Sequence, residues 1–228
     1  MKKLILFDID NTLSVASKAH MEAFSLAMKD VYGIEGSVWD VKYYGKTDWQ
    51  IIMEALKEKG IPGKRIRSGL KECMKRMVEY YSKMAGNDKI VLMDGVKELL
   101  KGLEGHGILM GLVTGNLEEI AWAKMERLGI RRYFKAGGFG SDDKSRAKLV
   151  RIAIRRMEKH FGHIPRENIF VIGDTPLDVK AGREAGIKTI AVATGVYAKD
   201  ELMSGEGGGA DFALENLKDT AAVLEIVL

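Results

Sequence analysis

The sequence predicts an α/β fold built on a parallel sheet, with a helical unit inserted near its start. Beyond about residue 88, short apolar runs alternate with stretches of helical periodicity, a pattern typical of parallel strands joined by crossover helices. Between residues 16 and 87, by contrast, three helical patterns follow one another with no strand between them. We therefore assign residues 1–15 and 88–228 to an α/β core, and residues 16–87 to an inserted α-helical cap domain.

The first elements are one strand and the three helices of the insert. The apolar run Leu4 to Phe7 predicts a strand, and apolar residues at helical spacing predict the helices. Thr47 is placed to cap the second helix, because threonine side chains accept hydrogen bonds from the first turn. The three helices are expected at 19–31, from residue 47 to about residue 56, and at 64–84, with a glycine-containing break at 33–45.

The rest of the chain supplies the remaining elements of the core. Strands are expected at 108–113, 136–139, 169–172, 188–192 and 211–213. Helices are expected at 95–103, 117–128, 146–159, 177–185 and 217–226, with a flexible loop at 204–209. Helices on both faces of such a sheet make the predicted core Rossmann-like.

Composition excludes several functional classes. The 228 residues are 46% hydrophobic, and 36 basic against 32 acidic side chains leave a net charge of only +4. This balance argues against a dedicated nucleic-acid binder, and the basic segment 151–159 interleaves with apolar residues as the solvated face of an amphipathic helix. With one cysteine, Cys73, there is neither a disulfide framework nor a cysteine zinc site, and the four histidines lack metal-binding spacing.

No targeting or membrane segment is predicted. The apolar run after Lys3 is interrupted by Asp8 after four residues, which is far shorter than a secretory signal requires. No other segment has 18 consecutive apolar residues. We expect a soluble, cytoplasmic protein.

Two aspartates, Asp8 and Asp10, follow the first strand. Residues two apart on an extended chain point to the same side, so the strand would deliver both carboxylates to one place, beside the hydroxyl of Thr12. Two carboxylates about 4 Å apart repel by roughly 4 kcal/mol at an effective dielectric constant near 20. A bound cation or a raised pKa must relieve this repulsion. A turn or helix cap would also explain the pattern, because Asp and Asn favour both.

Polar residues follow two further strands at the same predicted edge of the sheet. Thr114, Gly115 and Asn116 come after the strand at 108–113, and Gly173 to Asp178 come after the strand at 169–172. Ligands of open parallel sheets bind beyond the carboxyl ends of the strands. Three such segments at one edge favour a binding or catalytic site over a set of unrelated turns.

These segments, taken in order, resemble the haloacid dehalogenase superfamily. The matching residues are Asp8-x-Asp10-x-Thr12, then Thr114-Gly115-Asn116, then Gly173-Asp174-Thr175-Pro176-Leu177-Asp178. The resemblance spans essentially the whole chain, and the helical insert resembles the first type of cap in that superfamily.

The resemblance implies a phosphoryl-transfer site. Asp8 would be the nucleophile that forms an aspartyl-phosphate, and Asp10 would be the general acid and base. Mg²⁺ would be bound by the Asp8 carboxylate, the Asp10 backbone carbonyl and Asp174. We expect the Asp10 pKa to be raised, because Asp8 lies close to it.

The resemblance also implies the groups that hold the phosphate. The Thr114 hydroxyl and the backbone N–H groups of Gly115 and Asn116 would bind phosphate oxygens at a helix N-terminus. Thr12 and Asp178 would support the site from behind the ligands, Asp178 by holding the metal site or the basic residue in place. Asp178 could equally be a first-turn acid that complements the helix dipole.

The basic residue of the superfamily departs from the usual pattern, which is a lysine often followed by proline. Segment 141–148 contains three candidates, Lys144, Arg146 and Lys148, and no proline. Position at the start of a helix favours Arg146, with Lys144 second. An arginine would contact phosphate with two N–H groups, whereas a lysine is a point charge.

The second aspartate favours phosphoryl transfer over dehalogenation, since halide leaves without a proton. We therefore expect a phosphatase. A phosphomutase acting on a sugar phosphate, which also uses Asp8 and Asp10, and a non-catalytic phosphate-binding module remain alternatives. A phosphonatase would need a cap lysine as a Schiff base, for which Lys42 and Lys46 are the candidates.

The cap is expected to select the substrate. The loop Gly45-Lys46-Thr47-Asp48 resembles the specificity loop of capped phosphatases such as phosphoglycolate phosphatase, and Lys46 and Thr47 could contact an anionic end of the substrate. A simple loop with a helix N-cap is the alternative. A closing cap excludes large partners, so we expect a small phosphorylated substrate, no nucleic-acid or membrane partner, and a monomer or small homo-oligomer.

Overall fold

The core is a sheet of six strands, seen in a computed structural model that describes residues 2–35, 41–205 and 208–228. All strand pairs are parallel, and the spatial order is β3-β2-β1-β4-β5-β6. The strands are β1 (Leu4–Phe7), β2 (Leu109–Val113), β3 (Gly137–Gly138), β4 (Ile169–Gly173), β5 (Lys188–Val192) and β6 (Phe212–Leu214). The predicted parallel α/β core is confirmed.

Helices cover both faces of the sheet. They are α1 (Lys18–Tyr32), α2 (Asp48–Glu58), α3 (Gly63–Met84), α4 (Val96–Gly105), α5 (Glu118–Arg127), α6 (Arg146–Phe161), α7 (Pro176–Ala185), α8 (Lys199–Ser204) and α9 (Thr220–Val227). Apolar residues of α4, α5 and α9 pack on one face of β1, around Ile5 and Phe7. Those of α6 and α7 pack on the other face, around Leu4 and Leu6. Because β1 is buried on both sides, its sequence is a continuous apolar run.

Helices α1 to α3 form the helical insert between β1 and α4. They pack around their own apolar cluster, in which Phe24, Leu56 and Tyr81 are buried. This cluster continues onto Leu117 and Ile120 at the start of α5, so the insert rests on the core directly beside the ends of the strands. The division of the chain at residues 15/16 and 87/88 stays a prediction.

Most predicted elements lie within about two residues of those observed, and the differences have local causes. The side chain of Asp219 accepts a hydrogen bond from the N–H of Ala222, so α9 begins at Thr220, three residues later than expected. Helix α8 was not predicted, because its six residues bury one side chain, Leu202, and show no periodicity. Residues 206 and 207 of the expected loop, and residues 36–40 of the expected break, lie outside the described residues.

Within the described ranges, none of the helices combines the length and the apolar character that a bilayer crossing requires.

Candidate active site

The site lies where the carboxyl ends of β1, β2 and β4 meet. Phe7 pairs with Leu112 on one side and Ile172 on the other, so the residues that follow the three strands emerge together. The N–H of Asp8 continues the ladder by donating to the carbonyl of Ile172 at 2.9 Å. The chain then turns at Asn11, whose φ of 59° is left-handed, a conformation that asparagine tolerates. The chain therefore turns away from the sheet directly after the two aspartates, which leaves Asp8 and Asp10 at the edge of the sheet.

Three buried carboxylates, those of Asp8, Asp174 and Asp178, are the centre of the site. One ligand oxygen from each lies within 4.8 Å of the others. The guanidinium of Arg146 contacts two of them, through its Nη2 atom, which is 3.3 Å from Asp8 Oδ1 and also donates to Asp178 Oδ1. One positive charge therefore faces three carboxylates that have been removed from water.

This imbalance raises the pKa of two of the acids. Burial is the main cause that raises the pKa of Asp8 to about 7, and the charge of Asp178 adds to it while Arg146 opposes it. Burial likewise raises the pKa of Asp174 to about 8, with further contributions from Asp178 and Asp8. A bound cation would relieve both shifts, because it would stabilise the ionised carboxylates.

The donor set fits a hard divalent cation such as Mg²⁺, which prefers carboxylate oxygens. Asp178 is already engaged: Oδ1 accepts from Arg146, and Oδ2 accepts from the Thr175 N–H and hydroxyl at 3.1 and 2.6 Å. Asp8 and Asp174 are less engaged, with one side-chain partner each among the described residues: Arg146 for Asp8, and for Asp174 the Thr12 hydroxyl at 3.3 Å from Oδ1. Asp8 and Asp174 are thus the residues that could hold the ion, and Asp178 holds Arg146.

Gly195 is a feature of this site that the sequence did not reveal. It follows β5, and a Cβ atom at this position would collide with the Oδ2 atom of Asp174. The glycine therefore leaves room for the carboxylate in the position where it faces Asp8. No local pattern marks it, because the close approach is made by residues 21 positions apart in the chain.

Arg146 is the basic residue that the structure brings into the site. It begins α6, is 8% exposed, and its Nε atom is buried without a hydrogen-bond partner among the described residues. Lys144, the second candidate, lies on the surface with its Nζ atom 5.4 Å from the ring centre of Trp49. Lys148 is also exposed and pairs with Asp143 at 3.0 Å. A guanidinium beside the Asp8 carboxylate that keeps one N–H donor without a partner among the described residues suits an anionic ligand oxygen.

Thr114, Gly115 and Asn116 lie at the same edge of the sheet. The Thr114 hydroxyl accepts the N–H of Asn116 at 3.3 Å, which tightens the turn before α5. Gly115 touches the insert, because a Cβ atom there would collide with the carbonyl of Lys46. The side chain of Asn116 donates to Asp10 Oδ2 at 2.9 Å, so it is committed to Asp10.

The environment of Asp10 corrects one expectation. Both of its carboxylate oxygens accept hydrogen bonds from Lys124 Nζ, at 2.7 and 2.8 Å. Burial pushes the pKa of Asp10 upward, but the charge of Lys124, the nearby His20 and the hydrogen bonds from Lys124 and Asn116 outweigh it, so the pKa is lowered. The raised pKa expected from Asp8 was wrong, because the nearest charge to Asp10 is a lysine that the sequence analysis had overlooked.

Lys124 could have been found from its position in the helix. It lies on the buried face of α5 together with Ile120, Ala121 and Met125. A lysine on an otherwise apolar helix face is unusual, since lysine is almost never fully buried without a partner.

The insert closes the other side of the site. Asp48, the first residue of α2, donates its N–H to the carbonyl of Gly115 at 2.8 Å, which joins the insert to the core. The Thr47 hydroxyl caps α2 as predicted, and it also contacts the Gln50 amide. Lys46 lines the cavity between the insert and the core, but its ammonium group pairs with Glu54. The cavity measures about 70 Å³ and is bounded by both the acids and aromatic side chains of the insert, including Phe24.

Comparisons with known proteins agree with this geometry. Residues 5–192 match the family model described as haloacid dehalogenase-like hydrolase. A phosphoglycolate phosphatase of Aquifex aeolicus is 27% identical over 202 residues, which cover 86% of this chain and 87% of that protein. The pyrophosphatase PpaX of Listeria monocytogenes is 23% identical over 220 residues, which cover 96% and 95%.

A solved structure shows the same fold. The crystal structure of CbbY from Rhodobacter sphaeroides in complex with phosphate matches this chain with a TM-score of 0.74 and covers 96% of each chain. The two sequences are 19% identical, so this match supports the fold alone.

The pKa shifts predict how pH affects the stability of metal-free protein. The folded pKa values of Asp8 and Asp174, about 7 and 8, lie above their ordinary value of 3.8, so the folded state binds more protons than the unfolded state between these limits. Their stabilisation is complete below pH 4 and is lost as the pH rises toward 8. In a chelator, we expect the free energy of unfolding to fall over this range by at least about 1.4 kcal/mol, the equivalent of one pKa unit.

Urea unfolding at several pH values measures this dependence. The Asp8→Asn variant is the control, because asparagine does not titrate. Its free energy of unfolding should depend less on pH than that of the wild-type protein. Mg²⁺ at pH 8 should restore stability to the wild-type protein. If the free energy of unfolding in the chelator did not change with pH, the pKa values of Asp8 and Asp174 would not be raised in the folded protein.

Proposed function

The chain belongs to the haloacid dehalogenase-like hydrolase family, and we propose that it is a Mg²⁺-dependent phosphatase of small phosphorylated metabolites that works through an aspartyl-phosphate on Asp8. One observation carries the proposal: Asp8 and Asp174 come together at a cavity that Arg146 also lines, and the Arg146 Nη2 atom lies 3.3 Å from Asp8 Oδ1. This arrangement combines a nucleophile, a cation site and a phosphate donor in one place.

The Asp8 carboxylate is the proposed nucleophile. Its backbone N–H is bonded to β4, and its Oδ1 atom lies 3.3 Å from Arg146 Nη2, so its position is fixed from two sides. When bound between Asp8 and Asp174, Mg²⁺ would supply the positive charge that lets a carboxylate approach a phosphate group. The backbone carbonyl of Asp10 is the third proposed ligand.

Arg146 is proposed to hold the phosphoryl group. Asp178 accepts a hydrogen bond from Arg146, and Asp178 is itself held by Thr175, so the guanidinium is oriented before any ligand arrives. Its Nε atom is then available to a phosphate oxygen. The Thr114 hydroxyl and the N–H groups of Gly115 and Asn116 are proposed to bind the other oxygens, with Lys46 and Thr47 reaching the substrate from the insert.

Asp10 is the proposed general acid and base. Its side chain is 26% exposed, compared with 7% for Asp8, so it is the carboxylate best able to exchange protons with substrate and water. In the first step the protonated form of Asp10 would give its proton to the leaving oxygen. In the second it would take a proton from the water that attacks the phosphorus of the aspartyl-phosphate.

Small phosphorylated metabolites are the proposed substrates for two reasons. The relatives named above are a phosphoglycolate phosphatase and a pyrophosphatase, both of which have small substrates. The cavity of about 70 Å³ leaves room for roughly five water molecules, so it admits only a few atoms beyond the phosphoryl group while the insert is seated.

The nucleophile can be tested with p-nitrophenyl phosphate. We expect turnover by the wild-type protein that requires Mg²⁺, and no turnover above background by the Asp8→Asn variant, because an amide cannot form the acyl phosphate. The matched control is Asp94→Asn, since Asp94 is 77% exposed and lies far from the acids in the sequence. Colorimetric assay measures the rates, and circular dichroism confirms that each variant is folded. Wild-type protein that binds phosphate without turnover would favour a binding module instead.

The phosphate contact can be tested at Arg146. We expect Arg146→Lys to reduce kcat/KM at least about tenfold, because a single ammonium nitrogen replaces the planar guanidinium and its separate Nε donor. Lys144→Met separates the two candidates and should have little effect, since Lys144 lies over Trp49. Lys148→Met is the surface control. A large loss in Lys144→Met with none in Arg146→Lys would reverse the assignment.

The role of Asp10 can be tested by changing the leaving group. Asp10→Asn should reduce kcat/KM for an alkyl phosphate about 10²-fold or more, since a poor leaving group needs a proton. The same substitution should affect p-nitrophenyl phosphate much less, because nitrophenolate leaves unprotonated. Steady-state kinetics on both esters measure the ratio. Equal losses on both would argue against an acid role for Asp10.

A further inference from the structure

A lysine buried beside the site has a role that the proposed mechanism does not yet include. Lys124 is 0% exposed, and its ammonium group contacts both oxygens of Asp10, Asn116 Oδ1 at 2.7 Å and His20 Nδ1 at 3.2 Å. An ammonium group has three N–H donors, so every one of them is used within the site.

Burial of this charge is costly, so it needs an explanation. Removing an ammonium group from water costs several kcal/mol unless hydrogen bonds and an opposite charge compensate. Its neighbours on α5 are Ile120, Ala121 and Met125, for which an apolar residue would be the better packing partner. Its charge instead holds Asp10, the proposed acid and base, and Asn116, which donates to the same Asp10 carboxylate. The contacts of Lys124 therefore orient Asp10.

The contacts continue from Lys124 into the insert. The Lys124 ammonium group also lies 3.2 Å from Nδ1 of His20, an atom that accepts a hydrogen bond in the tautomer with the ring proton on Nε2. Nε2 then donates to Asp48 Oδ2 at 3.2 Å. The ring is held in this orientation by stacking on Phe24 at 5.0 Å and by the edge of Tyr81 at 5.9 Å.

This chain of contacts crosses from the core to the insert twice. His20 lies on α1 and Asp48 on α2, whereas Lys124 lies on α5. Asp48 Oδ2 also accepts the N–H of Leu117 at 2.8 Å, at the start of α5. The series Asp10–Lys124–His20–Asp48 is therefore complete only when α1 and α2 rest on α5, as they do here.

We propose that Lys124 is a positioning residue that fixes the Asp10 carboxylate and links its orientation to the seating of the insert through His20 and Asp48. The proposal rests on the proposed function, since it assigns how Asp10 is made ready for proton transfer. With the insert displaced, Lys124 loses its His20 contact, which is one of the contacts that hold its ammonium group beside Asp10. Proton transfer is then confined to the closed site, where the substrate is enclosed.

The leaving-group ratio tests this role. We expect Lys124→Met to lower kcat/KM for an alkyl phosphate at least about tenfold, and for p-nitrophenyl phosphate less than about threefold, because only the alkyl ester needs the proton from Asp10. kcat/KM reports the steps up to phosphoryl transfer, so slower hydrolysis of the intermediate does not obscure the ratio. Lys75→Met, at a 66% exposed lysine of α3, is the matched control and should leave the ratio unchanged.

A double-variant cycle separates positioning from general destabilisation. In an Asp10→Asn background, adding Lys124→Met should cost less than about twofold in kcat/KM for the alkyl ester, because Lys124 acts through a carboxylate that is already gone. A full additional loss in that background, or equal losses on both esters in the single variant, would overturn the proposal.

His20→Phe tests the link to the insert. Phenylalanine keeps a ring against Phe24 and Tyr81 but removes both nitrogen atoms. We therefore expect kcat/KM for the alkyl phosphate to fall relative to kcat/KM for p-nitrophenyl phosphate. An unchanged ratio would overturn the link between the insert and Asp10. If Lys124→Met does not fold, the ratio of kcat/KM for the two esters is measured on Lys124→Gln instead. Wild-type protein that hydrolyses neither ester with Mg²⁺ would refute the proposed function, whereas active variants with unchanged ratios would refute only the role of Lys124.

Discussion

The concentration of buried negative charge at the end of β1 is the constraint on which the site depends. Arg146 contacts Asp8 and Asp178 but not Asp174, and burial, reinforced by the charges of the neighbouring carboxylates, raises the pKa of Asp8 and Asp174. Such an arrangement is unfavourable unless a further cation or a proton compensates it. The same concentration of negative charge would favour a divalent cation at these carboxylates, and in the proposed function the Arg146 Nε atom, which has no partner among the described residues, would meet a phosphate oxygen.

The parallel sheet is what makes this concentration possible. Strand β1 lies at the centre, between β2 and β4, so three segments that are far apart in the chain end at one edge. Glycine at position 195 then allows Asp174 to approach without steric conflict. The strand order therefore brings the carboxylates together, since each segment alone would form only a turn or a helix cap.

Asp10 lies beside these three carboxylates but has a cation of its own, Lys124. Lys124 contacts both oxygens of the Asp10 carboxylate and lowers its pKa, whereas burial raises the pKa of Asp8. Two aspartates two residues apart thus have different environments, which is what different chemical roles require. His20, which contacts Lys124, belongs to the insert, so the contacts of Asp10 continue through Lys124 into the insert.

The sequence by itself determined the parallel core, the order of its elements and most of the residues at the site. Apolar periodicity and the polar residues after each strand are local signals, and they placed Asp8, Thr114 and Asp174 at one edge. Only the tertiary structure decided between Arg146 and Lys144, reversed the expected pKa of Asp10, and showed Lys124 and Gly195. These depend on side-chain direction and on the approach of segments distant in sequence, and electrostatic interactions of that kind act through space and leave no periodic trace in the chain.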